Sequence, residues 1–286
     1  MRKILVATDL SARADRAIRR ATLLAIKFEA SLHLVHVVDD DRPRRIIEPE
    51  RDTASAILDK QARSLREFDG VACTASVVLG RLPDEIVKAT REAAADVVMM
   101  GSHRHRGLQD VFIGTTAERT IRSSRRPLLV ANGVPASPYR HILAAVDFSE
   151  SSAEALLAIG ALGLDKDVTI SVLHVFDAPA RKHMSLASAS REELEHYIAK
   201  EEAVAGRELA AFLQRTVAFP ARNLVKLVET TTSHAICATA EEVSADLVVV
   251  GTHGRTGIAN FLLGSVAQGV LHAAERDVLT IPARRD

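Results

Sequence analysis

The chain has 286 residues, enough for one large domain or two ordinary ones. Apolar residues make up 47% and charged residues 26%, a globular composition with material for real cores. The 37 basic and 37 acidic residues cancel, which argues against nucleic acid as the main partner, since a surface that tracks phosphates carries a basic excess.

In chain order, MRKILVATDLSARAD goes from a basic pair into the strand candidate ILVAT (4–8) and meets an acid at Asp9. It lacks the long apolar core and cleavage site of a secretory signal. ADRAIRRATLLAIKF (14–28) carries apolar residues at helical spacing, and LHLVHV (32–37) is a second strand candidate, ending on His36 and Val37. ACTASVV (72–78), DVVMM (96–100) and PLLVA (127–131) complete five strand candidates, with the helical segment PDEIVKATREAAA (83–95) among them. NGVPASPYR (132–140) has the Gly, Pro and Ser content of a linker. No apolar stretch approaches the roughly 18 residues of a spanning helix, so no membrane partner and a cytoplasmic location are expected. Cys73 and Cys237 stand in unrelated contexts and read as free buried thiols in a reducing compartment.

The same text then recurs. RKILVATDLS (2–11) returns as RHILAAVDFS (140–149), and LHLVHVVD (32–39) as ISVLHVFD (170–177). The offset is 138 from Asp9 to Asp147 and from His36 to His174, then 150 from Gly101 to Gly251 and Gly114 to Gly264. The difference places extra residues of the second copy around 178–215, where REELEHYIAKEEAVAGRELAAFL (191–213) reads as a long surface helix. Two tandem domains follow, at 1–133 and 139–286. Apolar strands separated by helices imply an α/β, doubly wound fold, each copy a five-stranded parallel sheet in the order 3-2-1-4-5. Ligands of such sheets sit beyond the strand C-terminal ends, where Asp9, Val37 and Gly101 fall, and likewise Asp147, Val175 and Gly251.

The stretch GTHGRTGIANFLLGS (251–265) supplies the chemistry. Its spacing is Gly251-x2-Gly254-x9-Gly264-Ser265, directly after the run DLVVV. A glycine-rich turn exposes successive N–H groups, a helix starting near Gly264 adds its positive end, and both favour a phosphate chain. Asp147 is placed to accept hydrogen bonds from a ribose or an adenine amino group. The lysine-containing phosphate loop G-x4-G-K-[ST] is absent.

These features resemble the universal stress protein family, whose nucleotide-binding members carry G-x2-G-x9-G-[ST] after strand four, an Asp after strand one and a His-Val pair ending strand two. The resemblance covers nearly the whole chain as a tandem. It implies binding of ATP, ADP or AMP with Mg²⁺, slow hydrolysis at most, a signalling role in stress, and homodimers. The terminal strands PLLVA and DVLTI, each otherwise an exposed sheet edge, are also expected to pair, which would bring the two domains together within the chain. It would line the adenosine with Ala145, Asp147 and Val175, and the phosphates with Val250, Gly251, Gly254, Gly264, Ser265 and Val266. The first copy reads GSHRHRGLQDVFIGTT. Asp9, Val37, Gly101, Gly114 and Thr115 match there, but Arg104 stands where the second glycine belongs, so impaired or absent nucleotide is expected in that copy. Arg104, helped by Arg106, has the alternative of gripping phosphate with its guanidinium.

Plainer readings stand beside these. The glycines serve an ordinary turn, Asp147 caps the helix that DFSESSAEAL begins, and His36 and His174 are satisfied structural histidines. His103 and His253 lie in the loops themselves. No nucleophile-base pair is visible, and the S-G-G-x-D loop of ATP pyrophosphatase-type enzymes is missing, with TDLS and VDFS in its place. A pure interaction module that binds no nucleotide is the remaining alternative.

Overall fold

The computed structural model describes residues 1–102, 115–186, 189–253 and 263–283. The first half runs β1 (Lys3–Ala7), α1 (Ala14–Phe28), β2 (Ser31–Val38), α2 (Arg44–Glu67), β3 (Cys73–Leu79), α3 (Leu82–Glu92), β4 (Val97–Gly101), α4 (Thr115–Ser123) and β5 (Leu128–Ala131). The second runs β6 (His141–Val146), α5 (Glu150–Ala161), β7 (Thr169–Phe176), α6 (Ala180–Leu186), α7 (Arg191–Thr216), β8 (Arg222–Leu227), α8 (Thr232–Glu242), β9 (Leu247–Gly251), α9 (Ser265–Ala273) and β10 (Asp277–Ile281). The additional residues of the second copy are taken up by α6 and the long α7, which starts on a capping box formed by Ser190 and Glu193.

Within each half the strands are parallel and ordered 3-2-1-4-5. The strands are buried on both faces because their residues alternate between two apolar layers. Ile4, Val6, Val97 and Met99 pack with α1, α2, α5 and α7 on one side. Leu5, Ala7, Val98 and Met100 pack with α3, α4, α8 and α9 on the other. The amphipathic α1 shows the cause locally: Ala14, Ala17, Ile18, Ala21, Leu24 and Ala25 repeat at helical period and are buried. It stops where Glu29 takes a left-handed φ of 52° and its N–H returns to the Ala25 carbonyl at the helix end.

The five-stranded sheets are not separate. β5 and β10 pair antiparallel, Leu128 opposite Thr280, Leu129 opposite Leu279 and Val130 opposite Val278, so one ten-stranded sheet runs through the chain. Two edges that would each offer unpaired backbone groups thereby cover one another.

The stretch expected to be a linker is held firmly. Asp277, 1% exposed, takes Arg20 Nε at 2.7 Å and the Tyr139 hydroxyl at 2.7 Å on Oδ2, and the Asn132 and Gly133 N–H groups at 2.9 Å each on Oδ1. The Arg20 guanidinium lies 4.3 Å from the Tyr139 ring centre and donates to the Ser137 carbonyl. Burial, then the adjacent Asp277 charge, hold the Tyr139 phenol proton well above its ordinary range.

Candidate functional site

In the second domain a cavity of about 300 Å³ opens at the C-terminal ends of β6, β7 and β9. Ala145, Asp147, Val175, Val250, Gly251, Gly264, Ser265 and Val266 all line it, joined by Ser152, Thr232, Ile236 and His253. Gly254 lies outside the described residues. Thr232 and Ile236 come from α8, a helix that no motif marks; only its position after β8 and before β9 brings it over the strand ends.

Asp147 is tied to the start of α5. Its Oδ1 accepts from the Ser149 N–H at 3.1 Å, the Ser149 hydroxyl at 2.5 Å and the Ser152 hydroxyl at 2.6 Å. The helix cap itself is Ser149, whose Oγ accepts from the Ser152 N–H, so Asp147 acts one step back from the cap. Between them Phe148 takes a left-handed φ of 65°, uncommon for a bulky residue. Its ring stacks on His174 at 4.1 Å and lies 5.4 Å from Phe212, packing that holds the turn.

His174 Nδ1 lies 2.9 Å from the Val146 carbonyl, and His36 Nδ1 2.8 Å from that of Thr8. A carbonyl only accepts, so each Nδ1 carries the proton and each ring is a structural donor that fixes the strand end before the aspartate.

Gly251 has a reason close to home. A Cβ there would lie 2.5 Å from Ser151 Oγ and 2.9 Å from the Ser151 carbonyl oxygen, and one on Gly101 would lie 2.8 Å from the Arg13 carbonyl oxygen. Neither has a positive φ, so the demand is space for the first turn of α5 or α1. The base of the following loop is pinned, Gly264 N–H to the Thr252 carbonyl at 2.8 Å. Gly264 then caps α9 with no side-chain partner, leaving first-turn N–H groups of α9 beside the cavity. Among the described residues, no Lys or Arg lines it.

The first domain has a matching cavity of about 270 Å³, lined by Ala7, Asp9, Val37 and Gly101. Here Arg13 stands where the second copy has Ser151, and Leu82 where it has Thr232. Leu10 repeats the left-handed turn, with φ 61°. Thr115 opens α4, while Arg104 and Gly114, with His103 and Arg106, lie outside the described residues. No His, Cys, Asp and Glu grouping fit for a metal ion occurs among the described residues, and no described helix is long and apolar enough to cross a membrane.

Comparison with known proteins bears on both halves. The family described as the Universal stress protein family matches residues 1–132 and again 138–282. Universal stress protein A homolog 1 of Coxiella burnetii is 34% identical over 144 residues, covering 50% of this chain and 96% of its own. A universal stress protein of Mycolicibacterium smegmatis is 25% identical over 300 residues, 98% of this chain and 97% of its own. The crystal structure of a universal stress protein from Archaeoglobus fulgidus shares the fold at a TM-score of 0.69 and 18% identity, covering 99% of this chain and 98% of that one.

Proposed function

The chain belongs to the universal stress protein family, and on that footing we propose that it is an adenine-nucleotide-responsive regulatory protein whose second domain holds ATP, ADP or AMP. The observation that carries the reading is the domain-2 cavity, which gathers Asp147, Gly251 and Ser265 around the uncapped start of α9. In this reading Asp147 takes ribose hydroxyls or the adenine amino group, and the apolar Ala145, Val175 and Val250 flank the base. Ser265 and the α9 N–H groups take phosphate oxygens. The phosphates themselves carry most of the Mg²⁺ coordination.

Hydrolysis is slow in this proposal. Charge stabilisation and positioning supply most of phosphoryl-transfer catalysis, an arginine finger alone about 10³–10⁵ in rate, and the second cavity has no cationic side chain among its described lining. ATP then acts as a signal rather than a fuel. Homodimers would form through surfaces other than β5 and β10, which pair within the chain.

Calorimetric titration of ATP into the full chain tests the proposal. Binding is expected, and Gly254→Arg, which copies the first domain at that position, is expected to weaken it. No heat and no thermal shift at millimolar ATP sinks the reading. A single-turnover rate near 1 s⁻¹, the low end for ordinary enzymes, would overturn its slow-hydrolysis part.

A further inference from the structure

The first domain keeps its inner cavity and adds a second chamber at its mouth. This outer chamber, about 610 Å³, shares Leu82 and Thr116 with the inner one. It is lined by Arg81 and Arg119 and by Asp39, Asp40 and Asp41, all exposed. None of these five takes part in an ion pair among the described residues, although both signs face the same space.

The second copy keeps Asp177 at the place of Asp39 and none of the other four charges. Thr231 and Gly269 hold the positions of Arg81 and Arg119, and Ala178 and Pro179 those of Asp40 and Asp41. At Gly269 a side chain is sterically barred, since a Cβ would lie 2.5 Å from Ser233 Oγ and 2.7 Å from Ser233 Cβ. Pro83 replaces Ser233 in the first copy, and the helix pair there carries Arg119.

We infer that the first domain binds an adenine nucleotide extended beyond its phosphates by a hydroxyl-rich group, of the class of ADP-ribose. The inference rests on the adenine reading of the second domain's cavity, carried to the matching cavity of the first against the impaired binding that its sequence implied. Two guanidinium forks lining one chamber suit a diphosphate bridge, each able to grip two oxygens. Carboxylates accept hydrogen bonds from ribose hydroxyls. A bare triphosphate would instead end in its most charged group beside three aspartates, which repel it; a sugar cap removes that charge and supplies donors for the same carboxylates. The two domains thus differ in the end of the nucleotide they read.

The test is titration of ADP-ribose into the full chain saturated with ATP. One ADP-ribose per chain is expected, with ATP retained. Arg81→Ala with Arg119→Ala should weaken ADP-ribose at least about tenfold, the scale of one lost charged hydrogen bond, and leave ATP affinity unchanged. Asp39→Asn with Asp40→Asn should weaken it less, and again spare ATP. Binding of ATP without binding of ADP-ribose, simple competition of the two for one site, or indifference of ADP-ribose to both double variants overturns the inference and leaves the second-domain reading intact. Failure of ATP itself to bind removes both.

Discussion

The two domains share a strand order, a cavity in the same place and a left-handed residue after the same aspartate, yet they contribute unequally to what joins them. The ladder between β5 and β10 is nearly symmetric, with apolar residues facing each other in two pairs and Leu128 facing Thr280 in the third. The clamp beside it is not. Asp277 opens β10, whereas the corresponding place before β5 is Pro127, which has no side-chain acceptor; Arg20 on α1 corresponds to Ala158 on α5. A duplicated fold therefore has one repeated interface and one interface that exists once, and only the second fixes how residues 132–139 pass from one copy to the other. The same asymmetry recurs at the cavities, where the second copy uses glycine and serine and the first uses arginine.

The largest expected effect comes from breaking the single-copy clamp. Asp277→Ala leaves the guanidinium of Arg20, itself 6% exposed, without its counter-charge, and strips acceptors from Tyr139 and two backbone N–H groups. Removing one partner of a buried pair costs about 3–5 kcal/mol, so chemical denaturation of the full chain should show a loss of that size. Tyr139→Phe keeps the ion pair and should cost about 1 kcal/mol. A loss under about 1 kcal/mol for Asp277→Ala would mean that the clamp is not what holds the copies in register.

Next come the glycines, which compare close approaches of two kinds. Gly251→Ala drives a methyl toward the Ser151 backbone carbonyl as well as its hydroxyl, so about 1–3 kcal/mol is expected and Ser151→Ala should not restore it. At Gly269 the nearest atoms belong only to the Ser233 side chain. Gly269→Ala should therefore be rescued by Ser233→Gly, apart from the intrinsic cost of that glycine in the first turn of α8. Equal rescue in both pairs, read from thermal midpoints, would show that the α5 backbone yields where a rigid contact is expected.

A smaller effect separates the two helix starts. Ser149 caps α5 and also donates to Asp147, whereas Ser11 accepts from the Ala14 N–H at a long 3.3 Å and is not the capping residue of α1. Ser149→Ala should cost about 1–2 kcal/mol and Ser11→Ala at most about half that. The same pair sharpens the nucleotide proposal, because Ser149→Ala loosens Asp147 and should weaken ATP binding to the full chain where Ser11→Ala does not.

What the sequence disclosed and what it withheld follow from the range of the interactions. The strands and the repeat were legible because apolar runs and their spacing are local, and ILVAT, LHLVHV and DVVMM fall within a residue or two of β1, β2 and β4. The helix α2 was not, because Pro49 and eleven charged residues obscure its buried stripe of Ile47, Ala54, Leu58, Ala62 and Leu65. The Arg20–Asp277 contact joins residues 257 apart, and no local pattern marks it. Thr232 and Ile236 reach the cavity only because α8 packs over β7 and against α9, which is a property of the fold and not of their own neighbours. For Gly251 the glycine spacing pointed to a phosphate and gave no sign that a Cβ there would meet Ser151 of the same chain.

The smallest expected effect is absent at neutral pH. Cys73 at the start of β3 and Cys237 on α8 belong to different domains and different surroundings, yet both thiols are pushed up to about 11. Burial is the cause in both, opposed at Cys73 by the nearby Arg66 charge. From an ordinary value of 9.0, the folded chain holds each thiol proton more tightly than the unfolded one. This contribution to stability is therefore full below about pH 9 and is lost as the pH rises through 11. Between pH 7 and 8.5 the thiols should leave stability unchanged, and a decline should begin only in the alkaline range. The thiolate is the reacting species, so at pH 8 iodoacetamide should label either cysteine roughly a hundredfold more slowly in the folded chain than in the unfolded one. Labelling of one thiol at the unfolded rate would show that its domain opens locally there, and would locate a difference between the two copies that their shared burial conceals.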